Sequence, residues 1–248
     1  MRREKLRDAR EYDTTQLREA GHGKILHRDY TAHFFRWSFA RRLIKKTDHV
    51  LEIGCGQERP LARILTAGMM PYCAHYTGVD LNPLKPSLNQ RLRFIGEFNF
   101  IDQWKTLKKF RPEGYDVLVS MEVVEHFHSK HMPTFMKACY ELLKPGGLFL
   151  LSTPCYDGKR MAANHINEMS VETLRGHVKK ARFVEERRFG TFMDVKHIGK
   201  VKTSYVSDKA ITEVRTALHE YYDNDALSCF FAPLYPDHSR NNLWMLKK

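Results

Sequence analysis

The sequence has no Cys-x-x-Cys pair and no apolar run long enough to span a membrane. Its cysteines are odd in number and widely spaced, so we expect buried reduced thiols and no disulfide framework. The charged start, Met1-Arg-Arg-Glu-Lys, has no apolar stretch behind it and does not fit a secretory signal. We therefore expect a cytoplasmic protein without a membrane partner. The five cysteines stand at positions 55, 73, 139, 155 and 229.

Acidic residues are few compared with basic ones. The 248 residues include 41 Lys and Arg against 29 Asp and Glu, a formal net charge of +12. Residues 1–50 carry thirteen basic and seven acidic residues (+6), and residues 176–202 carry eight and three (+5). Two basic segments indicate an anionic partner, either nucleic acid or a nucleotide-like substrate. A solvated surface that keeps the protein soluble is the alternative interpretation.

Internal repeats and low-complexity linkers are also absent, and the chain instead alternates short apolar strands with helices. Strands of this kind are typical of a parallel sheet covered on both faces. We predict one domain, with an N-terminal helical cap (1–46), a core (47–192), an insertion that shapes the substrate site (193–241) and a final strand (242–248). The predicted strands are 49–53, 75–79, 92–96, 115–120, 147–152, 183–192 and 242–247, and the predicted helices are 28–46, 59–67, 102–110, 130–143, 171–181 (capped by Ser170) and 208–221 (capped by Ser207).

The segment Val50-Leu-Glu-Ile-Gly-Cys-Gly-Gln-Glu58 is the most informative motif. Glycines just past a strand end let the backbone approach a ligand, and such turns build nucleotide-type sites at the carboxyl edge of parallel sheets. A third glycine is missing, because Glu58 stands in its place. The nicotinamide pattern G-x-G-x-x-G needs glycine or alanine where Arg59 stands, which counts against a nicotinamide enzyme.

Four segments together resemble class I S-adenosylmethionine-dependent methyltransferases of the small-molecule branch. The resemblance covers about residues 48–154 and implies a Rossmann-like α/β fold, a seven-stranded, mostly parallel sheet with helices on both faces and an antiparallel last strand. It also implies methyl transfer with S-adenosyl-L-methionine as cofactor. The segments are Glu52-Ile-Gly-Cys-Gly, Tyr76-Thr-Gly-Val-Asp80, Tyr115-Asp-Val-Leu-Val-Ser-Met-Glu-Val-Val-Glu-His126 and Leu142-Leu-Lys-Pro-Gly-Gly-Leu-Phe149.

The resemblance assigns the cofactor to the ends of four strands. Asp80, with Leu81 beside it, accepts the ribose hydroxyls, although a helix N-cap is the alternative role of that acid. Glu97 and Phe98 contact the adenine, with Asp102 as the competing acid. The methionine portion is held by Glu52, through a charge-assisted bond to the ammonium, by Gly54, Cys55 and Gly56, and by Ser120, Met121 and Glu122.

A base is needed only when the methyl acceptor must lose a proton. The candidates follow the fourth and fifth strands: Glu125, His126, His165 and Glu168. His165 and Glu168 have an equally weighted alternative role, which is to fix their loop to the following helix. The spacing of His126, His128 and His131 suggests a metal site, but solvated histidines are the favoured interpretation, and no metal is predicted.

Aromatic and basic residues are expected to cover the acceptor. Tyr30, Arg36 and Trp37 come from the N-terminal helix and Tyr235 from the insertion, where a planar acceptor would stack, although aromatic residues are more often core. The Pro-Pro-Tyr signature of amino-methylating DNA enzymes is absent, and Cys155 follows the wrong strand for a cytosine-methylating nucleophile, so a structural role is expected for it.

The sequence thus predicts an S-adenosylmethionine-dependent methyltransferase that acts on O or N of a small-molecule or nucleotide-like acceptor. Two alternatives stay open. The basic segments favour a DNA or RNA methyltransferase, although a target-recognition domain is missing. The loss of the third glycine at Glu58 instead favours a non-catalytic nucleic-acid-binding or assembly protein that keeps the fold.

Overall fold

The computed structural model describes residues 28–57, 59–66, 72–87, 89–159, 161–200 and 208–248. Within them the side chains of residues 28–30 and 66 are not described. Residues 1–27 of the predicted N-terminal cap, Glu58 and the predicted cap Ser207 lie outside the described residues, so the structure leaves those expectations untested.

Seven strands form one sheet in the order β3-β2-β1-β4-β5-β7-β6. The pairs among β3, β2, β1, β4 and β5 are parallel, and β7 is antiparallel to both of its neighbours. This confirms the predicted class of sheet. The strands are β1 (His49–Ile53), β2 (His75–Val79), β3 (Leu92–Ile95), β4 (Tyr115–Met121), β5 (Leu143–Pro154), β6 (Val184–Met193) and β7 (Ser239–Lys247).

Side chains alternate between the two faces of the sheet along each strand, and both faces are apolar. Helices therefore cover both faces. On one face Leu51 and Leu118 belong to a core completed by α3, α4 and α5. On the other, Val50 and Val117 pack with residues of α1 and α2. The helices are α1 (Arg28–Leu43), α2 (Pro60–Thr66), α3 (Phe100–Phe110), α4 (Met132–Leu142), α5 (Val171–Lys180), α6 (Asp208–Leu218) and α7 (Asn224–Phe231).

Local sequence signals explain several helix boundaries. Pro60 opens α2, where its missing N–H costs nothing. Ser170 caps α5 as predicted, since its side chain accepts a hydrogen bond from the Thr173 N–H. The helix α4 ends at Leu142, one residue before the predicted end at 143, and β5 begins directly after it.

The described residues of the insertion (193–200 and 208–241) form two α-helices, where the sequence predicted one. The predicted helix 208–221 ends at Leu218, and α7 follows it with Asp223 as N-cap. Both helices contribute to a separate small core with β6, the 3-10 turns and Tyr235. Leu227 and Phe231 of α7 belong to that core, so they pack the insertion together.

None of the five cysteines, all of which are described, forms a disulfide, as expected. Four of them are buried, and Cys155 is partly so. Among the helices in the described ranges, none has the length and apolarity that a membrane crossing needs.

Candidate active site

A cleft of about 880 Å³ opens at the carboxyl ends of the parallel strands. Ligands bind at this edge in open α/β sheets, because the loops that follow neighbouring strands meet there. The walls come from the segments after β1, β2, β4 and β5 and from the start of α3, while α1 and the β6–β7 end complete them. The cleft therefore lies where the sequence motifs converge.

The glycine turn after β1 takes a conformation that other residues resist. Gly54 has φ +74° and Gly56 has φ +67°, both in the left-handed region. The N–H groups of Gly54 and Cys55 both donate to the Val79 carbonyl, at 2.8 and 3.2 Å, which ties the turn to the end of β2. A Cβ at Gly54 would lie 2.4 Å from Cγ2 of Val123, so the close packing leaves room only for glycine.

Asp80 is buried at the end of β2 and lines the cleft. One carboxylate oxygen accepts from the Gly56 N–H at 2.9 Å, and the other accepts from the backbone and side-chain N–H groups of Asn82 at 2.9 and 3.0 Å. The next element among the described residues is the strand β3, so the structure does not give Asp80 the alternative role of a helix cap. Leu81 lines the cleft and is 61% exposed.

Asn82 is a site residue that the sequence analysis missed. It is buried, lines the cleft, and its side-chain oxygen has no hydrogen-bond partner among the described residues. A buried polar atom of this kind is a place where a ligand donor would be satisfied. The signal was present, because a polar residue two positions after a strand-end acid often forms a local turn with it.

Glu52 lies on the floor of the cleft, almost fully buried. The Tyr76 hydroxyl donates a hydrogen bond to its carboxylate. Burial raises the pKa of Glu52 to about 8; the Tyr76 hydrogen bond opposes the rise, and the nearby Asp80 adds to it. Glu52 is therefore mainly protonated near neutral pH, and a cation placed beside it would favour release of that proton.

The two acids weighed for the adenine side are placed differently. Glu97 is exposed, has φ +52° and does not line the cleft. Asp102 lines the cleft from the first turn of α3, where it accepts a hydrogen bond from the Asn99 side chain at 2.6 Å. Phe98 is buried and also lines the cleft. Its place in the cleft lining thus favours Asp102 over Glu97 as the acid on the adenine side.

The end of β4 supplies the wall next to the glycine turn, because β4 pairs with β1. Met121 and Glu122 line the cleft, whereas Ser120 is fully buried behind it. Glu122 has φ +56° and accepts hydrogen bonds from the Ser152 hydroxyl at 2.8 Å and the Asn241 amide at 2.6 Å. Asn241 also lines the cleft and was not found from the sequence.

The four candidates for proton transfer come together, because the loops after β4 and β5 are joined by backbone hydrogen bonds. The Glu125 carbonyl accepts from the N–H groups of Ile166 and Asn167, at 2.9 and 3.1 Å. This brings His165 beside His126, with ring centroids 4.9 Å apart. Ligand-type atoms of Glu125, His126 and His165 all lie within 4.8 Å of one another.

Each member of this group has a defined environment. Glu125 is fully buried, and burial together with the charge of Glu122 raises its pKa well above the usual range. Burial and the neighbouring His165 lower the pKa of His126 to about 4, against the effect of its hydrogen bond to a carbonyl. Nδ1 of His165 lies 2.6 Å from the Glu168 carboxylate, which also accepts from the Ala162 N–H at 2.9 Å. Glu168 therefore orients the ring and fixes the loop.

The predicted acceptor cover is only partly assembled at the cleft. Arg36 and Trp37 line it from α1, and Nη1 of Arg36 lies 3.8 Å from Glu122 and 3.2 Å from the Thr191 hydroxyl. Tyr30 is in α1, but its side chain is outside the described part. Tyr235 is buried in the core of the insertion and does not line the cleft. Its hydroxyl accepts a hydrogen bond from the Gly199 N–H, which holds the ring in that core.

The chain is similar in sequence to methyltransferases from two bacteria. The ubiquinone biosynthesis O-methyltransferase of Nitrosospira multiformis is 33% identical over 147 residues, which cover 57% of this chain and 58% of that protein. The phthiotriol/phenolphthiotriol dimycocerosates methyltransferase of Mycobacterium leprae is 32% identical over 158 residues, 58% of this chain and 57% of that one. The chain thus spans less than two thirds of the length of these relatives.

The fold has solved counterparts. A SAM-dependent methyltransferase from Archaeoglobus fulgidus superposes with a TM-score of 0.58 at 18% identity, covering 94% of this chain and 98% of that one. At that identity the likeness concerns the fold alone.

The sheet order and the strand-end cleft define a Rossmann-like α/β protein. A methyltransferase-domain family matches residues 26–194, about two thirds of the chain. The protein belongs to that methyltransferase family, as the sequence resemblance implied.

Proposed function

We propose that this protein transfers a methyl group from S-adenosyl-L-methionine to an oxygen or nitrogen of a small-molecule acceptor. The observation that carries the proposal is the pairing of the glycine turn with Asp80, since the Gly56 N–H donates to that carboxylate inside a cleft of sufficient volume. Asp80 has three hydrogen bonds from its own chain, and a carboxylate accepts about four, which leaves capacity for a ribose hydroxyl.

The donor's other parts have matching surroundings. Asn82 offers its buried oxygen next to Asp80, and Phe98 and Asp102 form the side assigned to the adenine. The methionine portion is assigned to Glu52, the glycine turn and the Met121–Glu122 end of β4. The cofactor's ammonium would take the place of the proton on Glu52, because a carboxylate with a raised pKa gains most from a cation beside it.

The reaction itself asks little of the protein. As the acceptor atom bonds to the methyl carbon, the carbon–sulfur bond breaks and the sulfonium becomes a neutral thioether. Positioning and exclusion of water supply most of the catalysis. A hydroxyl acceptor must also lose its proton, and Glu125, His126 and His165 are grouped at the end of the cleft where it would leave. Glu168 holds His165 in place.

An oxygen acceptor is favoured over nitrogen because several of the relatives are O-methyltransferases. The cover formed by Trp37 and the Arg36–Glu122 pair offers an apolar surface next to a charged one. Such a surface suits a planar acceptor that carries a hydroxyl. We propose a cytoplasmic location as well, on the evidence of five cysteines without a disulfide.

Nucleic acid stays a prediction for a partner. The exposed cations of the second basic segment, among them Lys179, Lys180 and Arg182, lie next to the start of β6. The strand β6 runs parallel to β5, so its start is at the sheet edge opposite the cleft. These residues do not lead a strand of DNA or RNA into the site. The affinity for DNA or RNA, measured at two salt concentrations, would fall steeply with salt if the protein contacts phosphates.

The experiment that tests the function uses the purified protein, labelled S-adenosyl-L-methionine and a cellular extract, with mass spectrometry of the labelled product. The proposal predicts a labelled small molecule, and its structure would identify the acceptor. Label that appears only in nucleic acid would establish the alternative methyltransferase function. Cofactor binding without any product in a range of extracts would favour the non-catalytic alternative.

A further inference from the structure

We propose that Glu125, His126 and His165 bind one divalent transition-metal ion at the acceptor end of the cleft. The three residues come from the loops after β4 and β5, which the Glu125 carbonyl joins through the N–H groups of Ile166 and Asn167. One ligand-type atom of each residue lies within 4.8 Å of the others. The site differs from the His126, His128 and His131 group that the sequence suggested, because it is assembled across two loops.

Glu125 provides an independent indication of a ligand. Its side chain is fully buried and lines the cleft. One carboxylate oxygen accepts from the Thr153 hydroxyl at 3.2 Å, but the other, Oε1, has no hydrogen-bond partner among the described residues. A buried carboxylate oxygen without a partner costs free energy unless a proton or a cation meets it.

Both imidazoles are oriented as metal ligands usually are. Nδ1 of His165 lies 2.6 Å from the Glu168 carboxylate, and Nδ1 of His126 lies 3.3 Å from the Asn164 carbonyl. These oxygens accept, so each Nδ1 carries the proton and each Nε2 carries the lone pair.

The ligand set indicates the class of ion. Two imidazoles and one carboxylate suit Zn²⁺, Mn²⁺ or Fe²⁺ better than Mg²⁺, which prefers oxygen ligands. Ligands about 2.1 Å from a tetrahedral ion lie about 3.4 Å apart, so the side chains need to converge by roughly 1.4 Å at most. Three protein ligands leave a coordination position open, as in catalytic metal sites.

An open position on the ion would lie in the cleft, because the three ligands line it together with Met121 and Glu122. An acceptor hydroxyl coordinated there would lose its proton at lower pH, because the ion stabilises the oxygen anion. This role rests on the proposed methyl transfer, whereas binding of the ion does not. Glu168 is a positioning residue in this scheme, since it acts through His165.

The test is calorimetric titration of chelator-treated protein with ZnCl₂, MnCl₂ and MgCl₂. We expect one equivalent of Zn²⁺ or Mn²⁺ to bind at least tenfold more tightly than Mg²⁺. Glu125→Gln and His126→Ala should each weaken binding at least tenfold, and Glu168→Gln should weaken it about 10- to 100-fold. His128→Ala is the matched control, because His128 lines the same cleft but is not one of the three proposed ligands. The affinity of this variant for Zn²⁺ and Mn²⁺ should equal that of the wild type.

The absorption spectrum of the Co²⁺-loaded protein adds a readout of geometry. A change of the spectrum in Glu168→Gln would support a positioning role, and an unchanged spectrum would refute it. The metal site is refuted if the wild-type protein binds no stoichiometric ion, or if His126→Ala binds as tightly as His128→Ala. Binding of S-adenosyl-L-methionine to the same samples separates the two proposals, since a cofactor complex without a metal site would leave the proposed function standing.

Discussion

Replacing Gly54 by alanine tests how tightly the cofactor turn is packed. The new residue would keep φ +74°, which costs an L-residue about 1–2 kcal/mol. Its Cβ would also lie 2.4 Å from Cγ2 of Val123, far inside ordinary contact, and overpacking of this kind costs about 1–3 kcal/mol. We therefore expect Gly54→Ala to lower the free energy of unfolding by about 2–5 kcal/mol.

Urea denaturation measures this cost, and two further variants divide it. Gly146 has φ +73° with nothing within 4 Å of an added Cβ, so Gly146→Ala should cost only the backbone part, about 1–2 kcal/mol. In the double variant Gly54→Ala/Val123→Ala the clash is removed, and the coupling free energy should recover about 1–3 kcal/mol. The reasoning is refuted if Gly54→Ala costs no more than Gly146→Ala, or if the two substitutions are additive.

Three further predictions concern single side chains. In the folded protein the pKa of Glu52 is about 8, against 4.5 for the unperturbed carboxyl, so between these pH values the folded state holds a proton that the unfolded state releases. The free energy of unfolding should therefore fall as pH rises through this window, by up to about 1.4 kcal/mol per pH unit. The urea midpoint of Glu52→Gln should fall less over the same pH range. Ser170→Ala removes the cap of α5 and should cost about 1 kcal/mol in the same assay, while an unchanged midpoint would contradict that role. Asp102→Asn should weaken cofactor affinity more than Glu97→Gln, because only Asp102 lines the cleft, and the reverse order would restore Glu97 to the adenine side.

The sheet was predictable because each parallel strand is a short apolar run followed by a polar or glycine-rich turn. The predicted bounds of β1 and β2 agree with the structure, and those of β3 and β4 differ by one residue. Strands that are buried on both faces read as continuous apolar runs, which makes them recognisable in the sequence. The strand-end motifs also identified Asp80 and the glycine turn as cleft residues, since the carboxyl ends of parallel strands meet at one edge.

The remaining features depend on contacts between distant segments. Asn241 reaches Glu122 across 119 positions, and no local pattern indicates that pairing. Tyr235 was assigned to the acceptor site from its aromatic character, but the insertion forms a core of its own and buries it. The grouping of His165 with Glu125 requires two loops to be joined by backbone hydrogen bonds, which spacing within either loop does not show.

In the proposed function, Asp80 holds the sugar of the bound cofactor. Titration calorimetry with S-adenosyl-L-methionine and its demethylated product on wild type, Asp80→Asn and Asp80→Ala measures this most directly. We predict binding to the wild type and a loss of about 1–3 kcal/mol in Asp80→Ala, or roughly 5- to 150-fold in affinity, because hydroxyl partners are left unpaired. Absence of binding to the wild-type protein, or equal affinity in Asp80→Ala, would contradict the claim.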